Sequence, residues 1–290
     1  TYKFQHTSFL KFESHNKIII GQFDKDRKLI AMETIGLDKT KIDLNNVSLV
    51  CVENRAPELA IFVMQKCIAA ADFKECLLLG SRPNELPEGI NHVAIEPIND
   101  IKDYSDFMIR RLGDYIHGDY VLIVQWDGFI THPECWTPDF LNVDYIGAPW
   151  PDGIVGNSGF SIRSRRLIDA LKKLDHEITY PCDFYISIWH RAELESQHGI
   201  VFAPRELAQK FSFERSIPET PTFGFHGYQV FPRMLSETDL KKYLELFNDD
   251  YICSETGRKI IKSLYRNGCY SDARRVLARR MKSRSVNILD

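Results

Sequence analysis

No apolar run in this 290-residue chain approaches the ~20 residues that a membrane-spanning helix needs. No secretory signal pattern opens it either. Close cysteine pairs are also missing. The seven cysteines, Cys51, Cys67, Cys76, Cys135, Cys182, Cys253 and Cys269, are odd in number and widely spaced, with no CxxC among them. That excludes a disulfide scaffold, predicts reduced and mostly buried thiols in a cytoplasmic protein, and gives no reason to expect a zinc site. There is no excess of positive charge: the net charge of −3 excludes a general nucleic-acid binder. Internal repeats and low-complexity segments are absent as well. The first residue is Thr1 rather than Met, as expected of a fragment or processed chain whose upstream address lies outside it.

What is present is ordinary globular material, 44% hydrophobic and 12% aromatic, enough for one large domain or two small ones. Charge is uneven along it. From Arg258 to Asp290 ten Lys and Arg stand against two acids, which leaves about +8 on the tail and −11 on the rest. Such a tail suits a solvated helix face, or contact with an anionic membrane surface or a partner domain.

The hydrophobic pattern divides the chain into three parts. Residues 1–45 contain two β-rich runs, Ile18–Phe23 and Leu29–Thr34, separated by Asp24–Arg27, which predicts a hairpin. From 46 to 235 short apolar runs alternate with helical periods. Val47–Val52 and Tyr120–Val124 read as buried strands, Val47–Val52 covered on both faces, with Cys76–Leu79 a further short apolar run and His92–Ile95 a further candidate strand. Ala60, Val63, Met64, Cys67, Ile68 and Ala71 mark a helical face, and Tyr104–Ile116 a second helix. This alternation predicts an α/β fold with a mostly parallel sheet flanked by helices. Short strands at Tyr145–Ala148 and Phe160–Ile162, a helix at Arg165–Lys173 and another from Asp183 follow, then a loop-like stretch over 199–230. Residues 236–290 regain helical stripes and predict a basic helical appendage ending in an αα-hairpin, with Gly268 past a helix end.

Chemistry concentrates in four segments. Gln125-Trp126-Asp127 follows the buried run YVLIV, and ligands of open α/β sheets bind beyond strand carboxyl ends. Asp127 there suits a cation bridging a diphosphate, or a plain turn with Gly128. Asp144–Trp150 ends in an aromatic beside Pro149, suited to stack on a sugar. Gly156–Arg163 is a Gly-rich turn feeding a strand, in which Asn157 offers both donor and acceptor groups. Phe223–Gly227 sets His226 between glycines and aromatics.

Together these segments resemble glycosyltransferases of the GT-A fold, a Rossmann-like architecture. The likeness is to a bacterial and fungal branch found near surface-polysaccharide genes, with the series QxD, DYIGAPW, GNGGFSLR, D-F and FGFHG. It extends from Val47 to Gly227. The resemblance implies a nucleotide site at Glu53, Asn54 and Arg55. It matches Gln125 and Asp127 to the metal-binding DxD motif, with Gln in place of the first Asp. It implies that Asp127 and His226 hold Mn²⁺ or Mg²⁺, that Gln125 reaches ribose or phosphate, and that Asn157 and Trp150 contact the ligands. Asp183 matches the catalytic base of inverting members, and Asp is equally favoured as a helix N-cap. The implied activity is inverting transfer of a sugar from a nucleoside diphosphate donor, with a UDP-sugar the expected form, to a glycan or lipid-linked acceptor. It would occur in the cytoplasm or at the inner membrane face, in surface-polysaccharide synthesis. Two other readings stay open. A sugar-nucleotide nucleotidyltransferase would carry a Gly-rich basic loop after the first strand, where this chain has Glu53-Asn54-Arg55-Ala56-Pro57. A non-catalytic glycan-binding or scaffold module would leave Asp127 and His226 apart and Asp183 a cap.

Overall fold

The computed structural model describes the backbone of residues 8–14, 17–23, 29–36 and 41–286, and side chains from Lys41 to Ser283. The chain divides into two units, residues 1–41 and 42–290. In the first, β1 (Ser8–Ser14), β2 (Lys17–Phe23) and β3 (Leu29–Gly36) form an antiparallel sheet in that order. The expected strand pair is therefore one side of a three-stranded sheet, and the expected Asp24–Arg27 turn lies outside the described residues. The second unit starts at Ile42 rather than 46, because β4 (Ile42–Glu53) begins there.

The second unit is built on a six-stranded sheet of order β6-β5-β4-β7-β9-β8. Its further strands are β5 (Ala71–Gly80), β6 (Asn91–Val93), β7 (Tyr120–Val124), β8 (Tyr145–Gly147) and β9 (Phe160–Ser164). β6, β5, β4 and β7 pair in parallel, and β9 is antiparallel to both its neighbours. Val47–Cys51 and Val121–Val124 have no exposed surface, as strands covered on both faces require. Helix α1 (Pro57–Ala70) runs straight into β5, so Ala71 belongs to the strand and not to the helix. The chain moves outward from β4 through β5 to β6, then crosses back to β7 on the other side of β4. That reversal opens a crevice at the carboxyl ends of β4 and β7.

Two helices near this crevice change pitch. α2 (Ile101–Asp106) continues as a π-type turn over Phe107–Arg111, and α4 (Cys182–Phe184) as another over Tyr185–Trp189. α2 begins three residues before the expected Tyr104 because Asp100 caps it, accepting from the amides of Lys102 at 2.8 Å and Asp103 at 2.9 Å. Between them α3 (Arg165–Lys173) follows β9, and α5 (Arg191–His198) ends at the left-handed Gly199.

The stretch expected to be a loop over 199–230 is more ordered than that. It holds α6 (Arg205–Phe211) and a parallel ribbon of β10 (Ser212–Glu214) and β11 (Gly224–His226). The aromatics there provide the order: Phe211, Phe223 and Phe225 are fully buried, and Phe225 meets Phe129 edge-on at 5.0 Å.

After α7 (Phe231–Met234) come α8 (Glu237–Glu245), α9 (Asp249–Cys253), α10 (Glu255–Arg266) and α11 (Tyr270–Val286). These helices belong to the same compact unit as the sheet. Tyr243 packs edge-on against Phe62 at 5.0 Å, and its hydroxyl donates to the carbonyl of Trp126. Several tail cations are held within the bundle. Arg279 pairs with Asp249 at 2.8 Å, Arg275 with Asp272 at 3.1 Å, and the buried Arg280 donates to the carbonyls of Ile252 and Ser254. No helix among the described residues is long and apolar enough to cross a membrane.

Candidate functional site

Cys51 of β4 lies opposite Val124 of β7, so Glu53 and Gln125 leave the sheet side by side at the crevice. A cleft of about 280 Å³ opens there, close to the lower end of the ~300–1,000 Å³ range of small-ligand sites. Glu53, Asn54, Arg55 and Gln125 line it from the strand ends. Ile98 to Ile101 and Tyr104 close a second side, and Trp126 and Tyr251 a third.

The three residues after β4 have different parts. Glu53 Oε1 accepts from the amides of Arg55 at 2.7 Å and Ala56 at 3.0 Å, which fixes the turn into α1. Burial raises the Glu53 pKa against the pull of those amides and of Arg55. The Asn54 amide nitrogen is buried without a partner, an unspent donor beside the cleft. Arg55 lays its guanidinium 4.7 Å above the Tyr251 ring, a cation–π contact that ties the strand end to α9.

Behind Gln125 the ribbon brings a second group together. The amide of Gly227 donates to the Asp127 carbonyl at 2.9 Å, and the amide of Tyr228 to Asp127 Oδ2 at 2.9 Å. Those two bonds set His226 against the segment after β7. His226 Nε2 lies 3.1 Å from Gln125 Oε1 and 3.2 Å from Asp127 Oδ1. Its Nδ1 faces the Asn157 amide nitrogen at 3.1 Å, while Asn157 Oδ1 accepts from the Gly159 amide. Gln125 Nε2 donates in turn to the Tyr104 hydroxyl at 2.9 Å. Gln125, Asp127, Asn157 and His226, far apart in sequence, thus form one connected group.

Asp127 Oδ1 is buried and accepts no hydrogen bond, although His226 is near. Its contact is the His226 ring at 3.2 Å, and a buried carboxylate oxygen is costly unless such a neighbour carries charge. A divalent cation would satisfy it, and the donor set suits one. Two oxygen or nitrogen ligands bound at right angles to Mg²⁺ at ~2.1 Å stand about 3.0 Å apart. The observed separations around His226 Nε2 are 3.1 and 3.2 Å. Burial opposes charge on the imidazole, but Asp127, with Glu214 and Asp183 farther off, outweighs it and raises the His226 pKa.

Gly159 belongs to this packing. A Cβ there would stand 2.1 Å from His226 Nε2. The glycines of the 156–159 turn therefore make room for protein rings: Gly159 for His226, and Gly156 for the Trp150 indole, 2.4 Å from the corresponding point. Gly159→Ala is expected to push the ring off Gln125 and Asp127 and to cost about 1–3 kcal/mol. Thermal unfolding checks this: a lower melting temperature is expected.

Asp183 sits in the first turn of α4, where Pro181 is the cap residue, so the N-cap role does not apply. Its Oδ1 accepts from the Phe184 amide at 3.0 Å. Burial raises its pKa; Phe184 and the cation of Arg163 pull the other way, and Glu214 adds to the rise. Its charge in turn reaches His226. Arg163 is fully buried, and none of its guanidinium nitrogens has a hydrogen-bond partner. Its neighbour is the Tyr145 ring, with 5.8 Å to the centroid. Trp150 lies outside the cleft. It meets Phe184 edge-on at 5.0 Å, and Phe184 meets Trp189 at 5.8 Å. Phe184 and Trp189 are 38% and 48% exposed, leaving an open aromatic surface beside Asp183.

The sequence pattern does not mark Tyr104, Tyr251 or Arg163 as neighbours of these residues, nor the segment Ile98–Ile101. Asp100 carried a readable signal, an N-cap residue before a helical period. Tyr251 carried none, since its partners Trp126 and Arg55 are distant in sequence.

One protein family, described as a protein of unknown function (DUF5672), matches residues 89–226. That span includes Gln125, Asp127, Asn157, Asp183 and His226. No curated protein matches the sequence. Among solved structures, an active-site mutant of LgtC is similar over 70% of this chain and 98% of its own, with 12% identity and a TM-score of 0.40. The apo form of the glycosyltransferase GlyE of Streptococcus pneumoniae TIGR4 is similar over 68% of this chain, with 14% identity and a TM-score of 0.38. A second GlyE structure covers 72% of this chain, with 13% identity and a TM-score of 0.35. The similarity spans 55% and 60% of the two GlyE chains. At these identities and TM-scores the likeness assigns neither a fold nor an activity to this chain.

Proposed function

We propose that this protein is a metal-dependent glycosyltransferase that moves a sugar from a nucleoside diphosphate donor to an acceptor hydroxyl with inversion. One observation carries the reading: Gln125 Oε1, Asp127 Oδ1 and His226 Nε2 converge where the sheet reverses, and Gln125 also lines the cleft. These three atoms would hold Mn²⁺ or Mg²⁺. When bound, the cation would offset the charge of the departing diphosphate.

The nucleoside occupies the cleft. The free Asn54 amide and the Tyr104 and Tyr251 rings offer a hydrogen bond and flat apolar walls there. Asp183 takes the proton of the acceptor hydroxyl as the new glycosidic bond forms and the bond to the diphosphate breaks. Burial has moved its pKa upward, toward the range in which a carboxylate is an effective base. Trp150, Phe184 and Trp189 form an apolar platform next to it, suited to the flat face of an acceptor sugar. A glycan or lipid-linked acceptor in surface-polysaccharide synthesis, and a UDP-sugar donor, are the specific forms of this reading.

Incubation with a panel of nucleotide sugars and Mn²⁺ tests it. A fitting donor at 100 times its dissociation constant is expected to stabilise the fold by about 2.7 kcal/mol, with slow release of nucleoside diphosphate. No stabilisation by any nucleotide or nucleotide sugar would return the protein to the class of scaffold modules.

A further inference from the structure

A second cluster of ligating side chains lies outside the cleft. His176, in the connection between α3 and α4, places Nε2 2.8 Å from Glu193 Oε2. His190, the residue before α5, places Nδ1 3.6 Å from the same oxygen. His190 and Glu193 are three positions apart on a helical turn, which puts both on one face. The two imidazoles stack at 4.4 Å with 25° between their planes. All three ligating atoms fall within 4.8 Å of one another, and among the described residues no other group of three or more His, Cys, Asp or Glu does so.

A hydrogen-bonded triad explains only half of this. The contact at 2.8 Å is a hydrogen bond, but 3.6 Å is too long for one. A tetrahedral ion would draw all three atoms to one spacing. Two donors each ~2.05 Å from Zn²⁺ stand about 3.3 Å apart, and the two separations bracket that value. Two neutral imidazoles and one carboxylate are a common zinc donor set that leaves a fourth position open. The His176 side chain is 43% exposed, so the open side meets solvent. Arg110, the nearby cation, donates to the His176 carbonyl and not to the ligating atoms.

We propose that His176, His190 and Glu193 form a Zn²⁺ site that pins the α3–α4 connection to α5. The consequence is mechanical. The connection over 174–181 leads directly into α4, which carries Asp183, so an ion at this cluster fixes both ends of the segment bearing that acid.

Zinc titration of the full chain by calorimetry tests the assignment. His176→Ala and Glu193→Gln change surface side chains, and Asp127→Asn serves as the control for the other site. The wild type is expected to bind one equivalent of Zn²⁺ that both cluster variants lose or bind at least about tenfold more weakly, the loss that even an outer-sphere change produces, while Asp127→Asn retains it. Zinc should also slow amide exchange over 174–184 in the wild type and not in His176→Ala. Undiminished binding by both cluster variants, or binding that disappears in Asp127→Asn alone, overturns the site. Binding without slower exchange overturns the pinning.

Discussion

Asp183→Asn is expected to lower sugar transfer about a thousandfold, within the ~10²–10⁴ that a positioned general base supplies. It is also expected to leave donor binding unchanged and to make the protein more stable. The stability part follows from linkage. The Asp183 pKa is raised in the folded chain, mainly by burial. The folded state therefore holds this proton more tightly than the unfolded state does. The stabilising effect of protonation is fully present below the unfolded pKa and is lost as pH rises through the folded one. At neutral pH the ionised carboxylate is a cost, and the isosteric amide removes it. A gain of about 1 kcal/mol, roughly 2–4 °C, is the expected size. Turnover assays, donor titration and thermal unfolding read the three effects separately. A variant that loses donor affinity instead would assign Asp183 to the donor side.

Asp127→Asn should cost about 10²–10³ in transfer, the scale of one lost electrostatic contact to developing charge, and should abolish stabilisation by Mn²⁺. The side-chain oxygen of Asn can still accept from the Tyr228 amide, as Asp127 Oδ2 does at 2.9 Å. An amide nitrogen then stands where Oδ1 faces His226, and nitrogen with two hydrogens does not bind a cation. Asp127 is also the charge that most raises the His226 pKa, so the variant imidazole should titrate lower, which NMR can follow. Unchanged Mn²⁺ affinity would place the ion elsewhere.

The parts of this molecule that were readable in the sequence are those fixed by local pattern. Val47–Val52 and Tyr120–Val124 are apolar without interruption because both faces are covered, and that pattern is visible in any single strand. The acid after such a strand, Asp127, stands out for the same reason. What the sequence hid depends on pairings between distant segments. His226 reaches Gln125 only because β11 docks on the segment after β7, and Phe225 and Gly224 drive that docking through Phe129 and Phe160. The same aromatics, in a region of Pro and Gly, made 199–230 look like a loop. The glycines at 156 and 159 were legible as small but not as spaces for Trp150 and His226, since nothing local says which ring fills them. Arg163 was visible only as the end of a motif; that its guanidinium meets a ring and no hydrogen-bond acceptor is a property of the packed core.

Tyr251 stands at one wall of the cleft, yet it arrives on α9, far along the chain from the strand ends it faces. It also lies beyond the 89–226 span that the matched family shares. The wall of the cleft where Arg55 lies on that ring is therefore built by two distant stretches of sequence. On the proposed function, a change at Tyr251 would act on the nucleoside from outside that span, whereas a change in α8 would also reach Trp126, whose carbonyl accepts from Tyr243. On that reading α9, and not the sheet, is where a different nucleoside preference would be written.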